Sequence, residues 1–96
     1  MDDNMTALIK QIEKIIVLLK QRMIDDSDKL ILRTLYNRYV KAEEILTNNG
    51  DINRIMIAGG CRAYLDSFSD YMNPLLDEMY HAEMLLSNIK EVTYQK

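Results

Sequence analysis

Tryptophan is absent, and cysteine, proline, histidine and phenylalanine each occur once in the 96 residues. With Cys61 as the sole thiol, no internal disulfide can form. A small domain without such a staple fits a reducing compartment, so a cytoplasmic location is expected. One proline and three glycines are too few breakers to turn a sandwich or barrel every roughly 8–12 residues. The longest apolar run, Ile15-Ile16-Val17-Leu18-Leu19, falls far short of the roughly 20 residues that span a bilayer. The acidic start Met1-Asp2-Asp3-Asn4 is unlike the basic head of a secretory signal. Membrane insertion is therefore not expected. A positive excess is lacking too: 12 basic against 15 acidic side chains give a net charge of −3, with no global attraction for nucleic acid.

What remains is a chain that is 48% hydrophobic, long enough for one core and no more, so residues 1–96 are expected to form a single helical domain. In the first segment Met5, Leu8, Ile9, Ile12, Ile15, Ile16, Leu19 and Met23 recur at the spacing of one helical face. Asp25-Asp26-Ser27-Asp28 then stops that helix and supplies a cap and acidic groups to the next. Leu32, Leu35, Tyr39, Ala42 and Leu46 step by alternate threes and fours, and Asn48-Asn49-Gly50 closes the segment, with Asn49 or Gly50 suited to a left-handed cap. Asp51 is placed to cap the third segment.

Ile57, Cys61, Tyr64, Phe68 and Tyr71 continue the same stepping through Gly59-Gly60, and the unbroken seam favours one helix there. Two interior glycines cost about 2 kcal/mol relative to alanine, so either a close backbone approach or a break must account for them. Asn73-Pro74 marks the last boundary, with Pro74 at the first helical position and Leu75, Met79, Ala82, Leu86 and Ile89 forming the fourth seam. Helices at about 4–24, 27–48, 52–71 and 74–92, joined by short links, predict an all-α, antiparallel up-down-up-down four-helix bundle.

Chemistry-bearing patterns are few. Glu78 and His81 have the Glu-x-x-His spacing of di-metal bundles, but a second such motif is needed, and His81 lies about 120° from its seam centre. A metal centre would require a dimer that turns His81 inward; neither a metal site nor any other cofactor is expected. Cys61 falls on the apolar seam, where a free thiol packs as a small hydrophobe. The cations Lys29, Arg33, Arg38 and Lys41 of the second segment are interrupted by acids and lack helix-turn-helix spacing, so nucleic-acid binding is not expected.

The second half carries four basic against seven acidic residues. On it, Arg62, Asp66, Asp70 and Asp77, with the off-seam Tyr80 and Met84, suggest a docking face for another protein, Arg62 and Asp66 being spaced for an ion pair. The plainer reading is a solvated face. Val17, Leu18, Ile24, Leu30, Val40 and Ile45 lie outside their own seams and are candidates for a homodimer face.

In layout the chain resembles the class II bacteriocin immunity proteins. The residues that carry the resemblance are a short polar link before an apolar third helix, Asn48-Asn49-Gly50-Asp51-Ile52-Asn53-Arg54-Ile55-Met56. That resemblance implies a cytosolic four-helix bundle with no cofactor and a self-protective role. Small phage proteins that inhibit a host enzyme share the same profile. The expectation is thus a non-enzymatic protein that acts by binding another protein.

Overall fold

The computed structural model describes residues 3–25, 30–67 and 73–94. Among the described residues four α-helices follow one another: α1 (Asp3–Asp25), α2 (Leu30–Thr47), α3 (Gly60–Ser67) and α4 (Pro74–Tyr94). Among the described residues there is no strand. α1 packs most extensively, against α2 on one side and α4 on the other, while α3 touches both α2 and α4. Contacts fix the directions. Gln11 and Lys14 meet Glu78, whereas Arg22 lies by Asn73, so α1 and α4 run antiparallel.

The core is the set of seams meeting at the bundle axis. Leu8, Ile12, Ile15 and Leu19 of α1, Leu32, Leu35, Tyr39 and Ala42 of α2, and Met79 and Ala82 of α4 are completely buried. Each fully buried aliphatic side chain contributes about 1.5–3 kcal/mol of burial free energy, which short amphipathic helices need to remain helical.

Two ends are capped as the sequence dictates. Asn49 takes a left-handed conformation (φ 56°), and the Gly50 amide donates to the Ile45 carbonyl at 2.7 Å, the six-to-one bond of a Schellman motif. At the start of α4, the Asn73 carboxamide oxygen accepts from the Leu75 amide at 2.9 Å, with Pro74 at the first helical position.

The third segment corrects the expectation of one helix over 52–71. Asp51 caps a single 3-10 turn, Ile52–Arg54, by accepting from the Asn53 amide at 2.9 Å. The chain then runs without helix through Ile57, and Gly59 turns it at φ 83°. α3 begins only at Gly60. In this stretch Ile55 and Ile57 are buried while Met56 between them is 67% exposed, an alternation with a period of two. A helical count places Ile57, Cys61 and Tyr64 on one seam, and extended backbone also brings Ile57 inward, so the apolar pattern survives a break it did not reveal. Phe68, Tyr71, Met72 and the residues 26–29 of the expected acidic cap lie outside the described residues.

Candidate functional site

α4 carries its exposed side chains on one ridge. Asp77, Tyr80, His81, Met84 and Asn88 recur at threes and fours opposite the buried Leu75, Met79, Ala82, Leu86 and Ile89. Tyr80 is 61% and Met84 47% exposed, a large aromatic and a flexible thioether side by side along the helix. The structure therefore brings Asp77, Tyr80 and Met84 together. On α3, Arg62 and Asp66 are both exposed, but no ion pair joins them, contrary to their spacing. Asp70 lies outside the described residues.

The Glu-x-x-His pair is occupied otherwise than by a metal arrangement. The Glu78 carboxylate turns toward α1, accepting from Gln11 Nε2 at 2.7 Å and pairing with Lys14 Nζ at 3.1 Å. The hydrogen bond from Gln11, then the Lys14 ammonium, hold its pKa below the usual carboxylate range. His81 is exposed, and among the described residues no group of three or more His, Cys, Asp or Glu side chains could hold a metal ion.

Sequence reasoning missed the best-organised polar cluster, at the start of α3. Glu83 reaches across from α4, its Oε1 accepting from the Gly59 amide at 2.9 Å and its Oε2 from the Cys61 amide at 3.3 Å. The first amides of a helix have no partner within it, so a carboxylate from another helix serves as their cap. Two adjacent glycines opening an apolar segment were the available signal; nothing in the sequence named the acceptor.

Cys61 is half-buried rather than fully so, and its thiol donates to the Leu76 carbonyl at 3.5 Å. Burial, then its hydrogen bond and charge contact with Glu83, push the thiol up to about 12. Tyr39 is wholly buried nearby and its hydroxyl has no hydrogen-bond partner; burial, then the Glu83 charge, raise its pKa well above the usual phenol range. Tyr64, also buried, is satisfied: its hydroxyl accepts from Arg22 Nε and Asn73 Nδ2, each at 3.3 Å.

The expected dimer face divides. Val17 (53%), Ile24 (82%) and Leu30 (75%) are exposed. Leu18, Val40 and Ile45 are instead half-buried and packed on the core, because helices with neighbours on both sides cover flanking positions as well as the seam.

Compared with known proteins, residues 3–93 match the family model described as YeeD uncharacterised protein. The chain belongs to the YeeD family. A relative of the same description, the uncharacterized protein YeeD of Bacillus subtilis (strain 168), is 33% identical over 94 residues, which cover 90% of this chain and 92% of the relative. The YeeD match thus reaches each of the four helices described above. No solved structure matches the chain. Neither YeeD description speaks of bacteriocin immunity, and the residues on which that resemblance rested form a 3-10 turn and non-helical chain rather than the start of an α-helix. No helix among the described residues is long and apolar enough to cross a membrane.

Proposed function

We propose that the chain is a non-enzymatic binding protein whose outer α4 ridge docks a basic surface of another protein. The exposure of Tyr80 and Met84 beside Asp77 carries this reading. Tyrosine and methionine supply apolar contact area at interfaces, and a flanking carboxylate selects for cationic partners. The site chemistry supports it from the other side. A thiol held protonated up to about 12 is the opposite of an activated nucleophile. A photoactivatable cross-linker placed at Met84 in cells of the native host should capture one discrete protein. The same probe at Asn37, exposed on α2, should not capture it. Asp77→Lys with Tyr80→Ala should abolish the cross-link while leaving the helical circular dichroism unchanged. Identical capture from both positions, or none from Met84, would sink the reading.

A further inference from the structure

The outer ridge of α1 carries Glu13, Val17, Lys20 and Ile24, at successive steps of four, three and four, and it lies open along its length, with Val17 53% exposed and Ile24 82%. These four lie on the side of α1 opposite the buried Leu8, Ile12, Ile15 and Leu19. Glu13 makes no ion pair with any described residue, and Lys20 makes none either, its ammonium resting 5.9 Å from the Tyr36 ring. The geometry points to a second copy of this chain as the occupant of that ridge, its α1 laid antiparallel against the first.

Symmetry selects this occupant. A two-fold axis passing beside α1, level with the midpoint between Ile16 and Val17, sets each residue opposite one of the other copy, the two numbers summing to that of Arg33. Lys20 then faces Glu13 of the second copy, and Glu13 faces its Lys20, so one sequence spacing yields two ion pairs. Val17 lies beside the axis and covers its own symmetry mate. Ile24 comes over Ile9 and Lys10 of the second copy, where the lysine stem offers apolar cover while its ammonium stays in water. A parallel pairing would instead set Lys20 on Lys20 and Glu13 on Glu13. A partner helix of a single charge sign would meet one like charge on this ridge whichever way it lay. A surface with the same two charges in the reverse order satisfies both, and the chain itself is such a surface.

Charge reversal tests this on the full chain, because exposed single substitutions leave the core untouched. Sedimentation equilibrium from micromolar to millimolar concentration should show a monomer–dimer equilibrium for the wild type. Glu13→Lys and Lys20→Glu should each weaken dimerisation about tenfold or more, since each meets the symmetric pair twice. The double variant, Glu13→Lys with Lys20→Glu, should return to within a few-fold of wild type. A wild type that remains monomeric throughout overturns the proposal. So do single reversals without effect, or a double variant that melts like the wild type but does not recover dimerisation. If the chain stays monomeric while a cross-linker at Val17 captures a different protein, the ridge belongs to another partner and the inference fails. The α4 ridge plays no part in these outcomes.

Discussion

The hydroxyl of Tyr39 is a buried polar atom without a partner, beside a carboxylate and a thiol. Leaving such a group unsatisfied costs about 1–3 kcal/mol, whereas its removal leaves the ring's packing intact. Tyr39→Phe should therefore stabilise the fold by about 1 kcal/mol in urea titration at constant slope. Cys61 makes the complementary prediction. Its folded-state value rises from about 9 to about 12, so between these values the unfolded chain ionises its thiol while the folded chain retains the proton. Stability contributed by the neutral thiol is thus present below about 9 and is lost as pH rises toward 12. Iodoacetamide at about pH 9, where the unfolded thiol is half ionised, should label the native protein far more slowly than a denatured sample. Glu83→Gln, by removing the charge that opposes ionisation, should speed native labelling.

Along the elements, most of what holds them was legible because it is local. Asn49, Asp51, Asn73 and Pro74 act within a few residues of themselves, and each was readable from turn and cap chemistry. The broken third segment was not. Its Ile57-to-Tyr64 spacing suits a helix, while the acceptor that lets α3 start at Gly60 lies on α4. The ridge of α4 was legible from Asp77, Tyr80 and Met84 being off the seam; the Glu83 cluster was not, since its partners are distant in sequence, 24 positions away at Gly59 and 22 at Cys61. The two glycines separate in their roles. At Gly59 the positive φ strains any L side chain although space is open, so Gly59→Ala should cost about 1–2 kcal/mol. At Gly60 an added methyl would reach Leu35 Cδ2 at 3.4 Å, ordinary contact, so Gly60→Ala should change stability by much less. Thermal melts of the pair check this. Equal losses would mean that the turn is not what requires glycine. Glu83→Ala should accelerate amide hydrogen exchange across Gly60–Ser67 more than in α1.

For the molecule as a whole, α1 is the central element, and Glu78 ties it to α4 through Gln11 and Lys14. The folded-state pKa of Glu78 is displaced downward, so its contribution is present above the ordinary carboxylate value and is lost as pH falls through the lower folded one. Glu78→Gln should lower stability at neutral pH by less than about 1 kcal/mol, in keeping with a partly exposed pair. The difference from wild type should close in strongly acidic buffer; a constant offset across pH would assign the loss to something other than charge. The cap on α3 also has a consequence for the order of events as the chain leaves the ribosome. Gly59 and Cys61 emerge before the carboxylate that completes their helix, which lies beyond Pro74. Until Glu83 is extruded, the first amides of α3 lack the carboxylate that caps them. The α1–α2 pair is complete once Thr47 has emerged, whereas α3 gains its cap only after the first half of α4 has followed it.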